Sequence, residues 1–195
     1  SEAALVPDMT SIGVSSISEL IDYIKNKKIP ETDTELSSDI CEDRYLDFKE
    51  LHGQKVSRRA CEIAAAGMHN LLMYGPPGAG KSMIAKCLPS ILPPLTNDEK
   101  LELMKIYSVS GRKNFSYDKI IRPFRSPHHT VTAIAMSGSG NAVTPGEITM
   151  AHNGVLFLDE LPEFKRDVLE VLRQPLEEGH INVVRNRYQE EYPAD

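Results

Sequence analysis

The sequence predicts an α/β fold in which helices cover a parallel sheet. The prediction rests on two short apolar runs, residues 70–74 (NLLMY) and 155–158 (VLFL), each as long as a buried strand. A glycine-rich loop and a helical pattern follow the first run, and Asp159 and Glu160 follow the second. Strand, loop, helix and a later strand that ends in acidic residues are the usual order in a parallel α/β sheet.

Composition limits the kind of protein that this chain can be. Its 195 residues are 41% hydrophobic and 26% charged, which is ordinary for a globular domain, and the net charge is −6. The chain as a whole is no polycation, so any contact with nucleic acid needs a local basic surface or an assembly. No apolar run is long enough to span a membrane. The scattered Cys41, Cys61 and Cys87 suit reduced thiols, so we expect a cytoplasmic protein.

Residues 1–30 are predicted to form a short helical segment apart from the main domain. Ser16 and Glu19 have the spacing of a capping box. An apolar stripe at helical spacing follows, made of Ile17, Leu20, Ile21 and Ile24. Residues 31–47 are mostly acidic or polar and poor in large apolar groups, which predicts an exposed linker. The main domain is then expected to occupy residues 48–195.

Periodicity and turn residues predict the elements of the main domain in order. Helices are expected over residues 56–66, 81–88, 131–136 and 164–172. A further helix is expected to begin at the capping box of Thr96 and Glu99. Pro89 is predicted to end the helix over residues 81–88, and the helix over residues 164–172 is predicted to stop before Pro175. Residues 181–185 and 187–192 are expected to pair as a hairpin around Asn186.

Residues 75–82 match the phosphate-binding pattern G-x-x-x-x-G-K-S/T without a mismatch. Glycines let the backbone wrap around phosphates with its N–H groups pointing inward, and the following helix directs its positive end at the same charge. Lys81 can reach the β- and γ-phosphates, and the Ser82 hydroxyl can bind Mg²⁺. A chance glycine-rich turn is the alternative, but the preceding strand and the following helix argue against it. The predicted nucleotide-binding residues are Gly75, Pro76, Pro77, Gly78, Ala79, Gly80, Lys81, Ser82 and Met83.

Asp159 and Glu160 supply the second half of the predicted site. Ligands of an open parallel sheet bind beyond the carboxyl ends of its strands, so this pair and the glycine-rich loop should meet in one crevice. Asp159, together with Ser82, is predicted to hold Mg²⁺, an ion that prefers hard oxygen ligands and keeps several waters. Glu160 is predicted to polarise an attacking water, which with Lys81 makes hydrolysis the expected reaction. A solvated acidic turn is the plainer alternative.

Residues 122–129 (RPFRSPHH) are rich in rigid and polar groups, and the sequence leaves their role open. His128 and His129 are adjacent and diverge, which argues against joint metal ligation and favours a structural or phosphate-sensing role. Arg122 and Arg125 are about equally compatible with solvated surface positions and with contact to nucleotide or substrate across a subunit interface. The other histidines are expected to be packing or turn residues: His52, His69, His152 and His180.

Four segments together resemble the Mg-chelatase-like AAA+ ATPases of the ComM (YifB) type: NLLMYGPPGAGKS, RPFRSPHH, PGEITMAHNGVLFLDELPEF and RQPLEEG. The resemblance implies an AAA+ αβα sandwich with an insertion around residues 135–146 and a hairpin around residues 180–193. Residues 48–54 are similar to the segment that flanks adenine, and residues 1–24 to the end of a Lon-protease-like domain. In this family sensor 1, the helical lid and sensor 2 would follow residue 195. The chain is therefore expected to be a truncated module that binds nucleotide but hydrolyses it poorly alone.

The same resemblance implies a function and a set of partners. ATP or ADP is the expected ligand, with Mg²⁺ as the cofactor ion, and members assemble as homo-hexamers. The ComM type is associated with DNA branch migration, so an ATP-driven DNA remodelling motor is the leading hypothesis. Two alternatives stay open: a magnesium chelatase subunit that drives metal insertion, and a nucleotide-gated protein-remodelling or scaffold module. No membrane partner is expected.

Overall fold

The computed structural model describes residues 12–14, 16–26, 46–111, 120–139, 144–185 and 188–194. The chain divides into two compact units. One consists of Ser1–Cys41 with Asn114–Ile120, and the other of Glu42–Lys113 with Ile121–Asp195. Among the described residues, no helix is long and apolar enough to cross a membrane.

The described part of the first unit contains the helix α1, over Ile17–Asn26. It begins as predicted, because the Glu19 N–H donates to Ser16 Oγ at 3.2 Å. No residue of α1 is buried, and its apolar stripe is exposed, with Ile24 at 69%. The helix prediction is confirmed, whereas residues 31–45 of the predicted linker lie outside the described residues.

The second unit mixes short helices and strands. Its described helices are α2 over Lys55–Gly67, α3 over Lys81–Cys87, α4 over Asn97–Val109, α5 over Ala133–Ser137, α6 over Glu147–Met150, α7 over Arg166–Val171 and α8 over Arg173–Glu178. Its described strands are β1 over Phe124–Arg125, β2 over Gly138–Ser139, β3 over Thr144–Pro145, β4 over Val155–Leu156, β5 over His180–Arg185 and β6 over Tyr188–Pro193. Short 3₁₀ turns lie at Phe48–Glu50, Leu88–Ile91 and Leu161–Glu163.

The parallel pair of the fold is formed by β1 and β4. Phe124 lies opposite Val155, and Arg125 lies opposite Leu156. The parallel direction confirms the predicted sheet type, with helices connecting strands that run the same way. The strand predicted over residues 155–158 is shorter than expected, since β4 covers only Val155–Leu156, although the Phe157 N–H also donates to the Arg125 carbonyl oxygen at 2.8 Å.

The strand predicted over residues 70–74 is wrong, because the structure assigns no strand there. Leu72 and Tyr74 are 75% and 94% exposed, whereas the half-buried Met73 packs against the core between α2 and α3. A strand requires neighbours that take up its N–H and C=O groups. Within the described residues, no strand pairs with this segment. The apolar composition of residues 70–74 suits a buried strand, but it does not establish that another strand lies beside them to pair with.

The other described strands form two antiparallel pairs. β5 and β6 pair from His180 opposite Pro193 to Arg185 opposite Tyr188, which confirms the predicted hairpin. β2 and β3 form a much shorter pair between α5 and α6. This short pair lies within residues 135–146, the span in which the family resemblance implies an insertion.

Capping and proline positions account for several helix boundaries. α4 begins at a complete capping box, in which Thr96 Oγ1 accepts the Glu99 N–H at 3.3 Å and the Glu99 carboxylate accepts the Thr96 N–H at 2.6 Å. α3 ends at Cys87, one residue before the predicted end, and Pro89 lies within the 3₁₀ turn Leu88–Ile91 that follows it directly. The prediction that the last helix stops before Pro175 is wrong in part. The helix breaks at Leu172, but α8 carries Pro175 in its first turn, where a missing N–H costs no intrahelical bond.

Two apolar clusters of described residues contribute to the core of the second unit. The first connects the segment before α2 with α2 and α3, and its buried residues are Phe48, Leu51, Cys61, Ile84 and Cys87. The second connects α5, α6, α7 and β5, and its buried residues are Met136, Ile148, Phe164, Val168 and Ile181. Burial raises the pKa of both the Cys61 and the Cys87 thiol, which favours their protonated form. The first cluster also anchors α3, the helix that carries Lys81 and Ser82.

Candidate nucleotide site

The glycine-rich loop enters α3 through backbone in the left-handed region. Gly78 and Gly80 have φ angles of 76° and 80°, which residues with a side chain adopt only at a cost. A Cβ atom at Gly80 would meet only the Gln54 side-chain nitrogen, at 3.6 Å. Conformation, not space, therefore requires glycine at this position. Ile84 and Cys87 are buried in the first core cluster and so fix the helix into which the loop runs.

Lys81 lies against the loop that precedes it. Its Nζ donates to the carbonyl oxygens of Gly75 and Pro76, at 3.0 Å each. The Gln54 side-chain amide donates to the Ala79 carbonyl oxygen and ties the loop to the segment before α2. The Lys81 ammonium group has three N–H donors, and the Gly75 and Pro76 carbonyls accept two of them. The loop thus holds a positive charge beside its own backbone N–H groups, an arrangement that suits a phosphate chain.

The two sequence motifs meet at Ser82 and Asp159. The Ser82 hydroxyl donates to Asp159 Oδ2 at 2.8 Å, although 77 residues separate the two. Asp159 Oδ1 accepts the Glu160 N–H at 3.1 Å. The loop and the acidic pair were predicted to share one crevice, and this contact brings them together as expected.

The donor set at this point fits a magnesium ion. A serine hydroxyl and an aspartate carboxylate are hard oxygen donors, and Mg²⁺ commonly takes one or two protein ligands together with waters and substrate phosphates. Among the described residues, no group of three or more His, Cys, Asp or Glu side chains could hold a metal by itself. Ser82 and Asp159 are therefore suited to a metal that arrives with a nucleotide. Their role as metal ligands stays a prediction.

A pocket beside the loop extends the site toward α2. It is a small cavity of about 80 Å³ that opens to solvent. Its lining residues come from the segment before α2, from α2 and from the start of α3: Leu51, His52, Gln54, Arg58, Gly80, Met83 and Ile84. Met83, which was predicted to contact nucleotide, lies here. Leu51, His52 and Gln54 line one side of the pocket, and they belong to residues 48–54, which resemble the segment that flanks adenine.

Glu160 lies next to His129, whose role the sequence left open. Glu160 is in the left-handed region, with φ of 55°, and its side chain is 68% exposed. Its Oε2 is 3.7 Å from Nδ1 of His129. The signal that could have indicated this contact is the parallel pairing of β1 with β4. Parallel strands end at one edge of a sheet, so the residues that follow them meet there.

Arg122 differs from both of its sequence interpretations. It is 7% exposed, so it is neither a solvated residue nor a contact across a subunit interface. Its guanidinium donates to the Pro93 carbonyl at 2.6 Å, to the Asn153 carbonyl at 2.7 Å and to Glu99 Oε1 at 3.2 Å. Because it bonds to residues on three separate segments, Arg122 ties the start of β1 to the capped end of α4 and to the turn before β4.

Arg125 and His152 also make internal contacts. The Arg125 guanidinium forms a two-pronged ion pair with the Glu147 carboxylate, with both N–O distances at 2.7 Å. Solvation is therefore the wrong interpretation of Arg125, while contact across a subunit interface stays a prediction. His152 is buried, and its Nε2 lies 3.1 Å from Glu102 Oε2. This confirms its expected role in packing.

Comparison with known proteins gives the family. Residues 47–195 match the family described as magnesium chelatase, subunit ChlI. The YifB protein of Salmonella typhimurium is 51% identical over 148 residues, which are 76% of this chain and 29% of the relative. The competence protein ComM of Haemophilus influenzae is 42% identical over 198 residues, 99% of this chain and 39% of the relative.

A distant likeness to a solved structure was also found. The crystal structure of NtrX from Brucella abortus in complex with ADP aligns with 74% of this chain and 29% of that chain. The TM-score is 0.48 and the identity 19%, which is too remote to support an inference.

The family match covers most of the chain and includes the glycine-rich loop, Asp159 and Glu160. This chain corresponds to between 29% and 39% of the length of the two bacterial relatives described above. Its parallel pair, β1 with β4, and the contact between loop and acidic pair agree with a P-loop NTPase fold. The chain therefore belongs to the magnesium chelatase family, as a Mg-chelatase-like protein of the ComM/YifB type.

Proposed function

We propose that this chain is the nucleotide-binding part of a Mg²⁺-dependent AAA+ ATPase. The observation that carries the proposal is the 2.8 Å contact between Ser82 Oγ and Asp159 Oδ2. It brings two hard oxygen donors together at the helix that follows a phosphate-binding loop. ATP or ADP is the proposed ligand, and the cytoplasm is the proposed location.

Each residue of the site has a separate part in the proposed reaction. The backbone N–H groups of residues 75–82 cradle the phosphates, and the Lys81 ammonium neutralises charge on the β- and γ-phosphates. Ser82 and Asp159 would hold Mg²⁺, which supplies further positive charge to the phosphates when it is bound. Glu160 orients a water molecule toward the terminal phosphorus and accepts a proton from it. The result is hydrolysis of ATP to ADP and inorganic phosphate.

We further propose that the full-length protein that contains this chain assembles as a homo-hexamer and uses ATP to remodel DNA. The support is the 42% identity to a competence protein over almost the whole of this chain. The acidic net charge of −6 makes the chain as a whole a poor DNA ligand. DNA contact would then depend on a local surface or on the assembled ring.

The test is the steady-state ATPase rate of the full-length protein, with and without branched or single-stranded DNA. Lys81→Ala should lower kcat on the order of 100-fold or more, because it removes a charge that stabilises the transition state. Lys86→Ala is the matched control, since Lys86 is an exposed lysine on the same helix. DNA stimulation that Lys81→Ala abolishes would support the motor, and an ATPase indifferent to DNA would contradict it.

The chain itself permits a simpler measurement of binding. Mg-ATP at a hundredfold excess over its Kd should add about 2.7 kcal/mol to the free energy of unfolding. For a chain of this size, that corresponds to a rise in Tm of roughly 5–10 °C. Lys81→Ala should remove most of the rise, and a wild-type chain without any rise would show that its loop does not bind nucleotide.

A magnesium chelatase subunit is the second candidate, because the matching family carries that description. In this case ATP hydrolysis would drive insertion of Mg²⁺ into a porphyrin, and Mg²⁺ would be a substrate as well as a cofactor. The discriminating assay follows magnesium insertion into a porphyrin by fluorescence, with the full-length protein and Mg-ATP. Insertion above the background rate favours the chelatase, and its absence beside a DNA-stimulated ATPase favours the motor.

A further inference from the structure

Glu160 has one close side-chain contact whose purpose the proposed reaction leaves unexplained. In the parallel pair, Arg125 lies opposite Leu156. His129 and Glu160 each lie four residues beyond these partners, so the register carries both to the same edge of the sheet. There the His129 Nδ1 is 3.7 Å from Glu160 Oε2.

The His129 ring is itself held in place by two other rings. Its centroid is 4.0 Å from that of His128, and its plane meets Phe164 edge-on at 6.5 Å. Phe164 is 5% exposed and belongs to the second core cluster. His129 is thus a side chain fixed from the core, whereas the Glu160 side chain is 68% exposed and would otherwise sample several rotamers.

The contact continues a chain of interactions that begins at the glycine-rich loop. Ser82 Oγ donates to one oxygen of Asp159, and the other oxygen of Asp159 accepts the Glu160 N–H. These bonds locate the backbone of Glu160 but leave its carboxylate unrestrained. The His129 ring is the described group that restrains the carboxylate.

We propose that His129 is a positioning residue for Glu160, and that it holds the carboxylate in the orientation needed to direct a water at the terminal phosphate. The inference rests on the proposed ATPase function. His129 does not touch the nucleotide or the water in this role and acts only through Glu160. The 3.7 Å separation is longer than a hydrogen bond, but contacts of this kind commonly shorten once substrate is bound.

The experiment measures kcat and KM for ATP in the full-length protein and its variants. His129→Ala should lower kcat about tenfold, because a misoriented base loses near-attack geometry. KM should stay within about twofold, because no ground-state contact to ATP is removed. His129→Gln, which keeps a donor, should recover part of the lost kcat. If His129→Ala unfolds, His129→Leu replaces it, since leucine keeps apolar contact with Phe164 but has no donor.

His180→Ala is the matched control. His180 pairs with Glu178 at 3.4 Å and is 30% exposed, close to the 32% of His129, but it lies on β5 outside the site. Its loss should leave kcat unchanged.

A double-mutant cycle links the effect to Glu160. Because His129 acts only through that carboxylate, His129→Ala should cost nothing further in a Glu160→Gln background. A single variant with kcat within about twofold of wild type, or an effect on KM alone, would overturn the inference. Full additivity in the double mutant would overturn it as well. Absence of wild-type hydrolysis would overturn the ATPase proposal together with this one, whereas a normal ATPase with an unaffected His129→Ala removes this inference alone.

Discussion

Replacing Arg122 by alanine should destabilise the second unit strongly, although Arg122 lies outside the predicted nucleotide site. The guanidinium makes two hydrogen bonds to backbone carbonyls, of Pro93 and Asn153, and one to the Glu99 carboxylate. With Arg122 at 7% exposure, water cannot easily replace these bonds in the variant. Alanine would leave two carbonyl oxygens and one carboxylate without their charged donor.

The expected loss follows from the cost of unpaired buried groups. Hydrogen bonds to a charged group contribute about 1.5–3 kcal/mol each. Removal of one partner from a buried ion pair costs about 3–5 kcal/mol. Three such hydrogen bonds would add up to about 5–9 kcal/mol, but contributions within one network are not additive. Because hydration also recovers part of the share of Glu99, whose side chain is 24% exposed, we expect an Arg122→Ala loss of about 3–5 kcal/mol in total. That is a large fraction of the roughly 5–15 kcal/mol typical of a whole domain.

The assay is urea denaturation followed by circular dichroism, with thermal unfolding as a second measure. For a domain of this size the loss corresponds to a fall in Tm of roughly 6–20 °C. Arg166→Ala is the matched control, because Arg166 is 93% exposed and its ion pair with Glu170 is long, at 3.9 Å. Its loss should stay below about 0.5 kcal/mol. An Arg122→Ala loss no larger than that of the control would refute the assignment of Arg122 as an internal tie.

Two further predictions concern the cap that Arg122 contacts. Thr96→Ala should lower the free energy of unfolding by about 1 kcal/mol in urea denaturation, because it removes the hydroxyl that accepts the Glu99 N–H. A loss below about 0.3 kcal/mol would show that the capping box contributes little. Burial acts to raise the pKa of Glu99, but the Thr96 hydrogen bonds and the Arg122 charge outweigh it and hold that pKa below the ordinary value of a glutamate. A folded-state pKa below the unfolded one stabilises the protein above the unfolded value, so the unfolding free energy should decline as pH falls below about 4.5. Glu99→Gln should reduce this decline, and an unchanged acid profile in Glu99→Gln would contradict the assignment.

Local chemistry made much of the fold and of the candidate site predictable. Glycines and a lysine at fixed spacing predict a phosphate-binding loop, because few residue types tolerate the φ angles seen at Gly78 and Gly80. The capping box at Thr96 predicted the start of α4 because its partners are close in sequence. Ser82 and Asp159 were predicted to meet because ligands of a parallel sheet bind beyond the carboxyl ends of its strands. The two residues do meet, although the structure assigns no strand over residues 70–74.

Other features depend on which distant segments come together. Whether residues 70–74 form a strand depends on a neighbouring backbone, and the described residues provide none that pairs. The sequence neighbours of Arg122 do not distinguish a buried arginine from an exposed one. Only the fold brings three hydrogen-bond acceptors to its guanidinium.

The sequence by itself determined the class of fold, and it predicted the phosphate-binding loop and the meeting of α3 with the acidic pair. The tertiary structure alone decided that Arg122 is buried and that His129 faces Glu160. The physical reason is the range of the interactions. Backbone conformation and helix capping involve residues a few positions apart, so the local sequence predicts them. Burial and side-chain pairing depend on contacts between distant segments, and separation along the sequence does not indicate which segments meet in space.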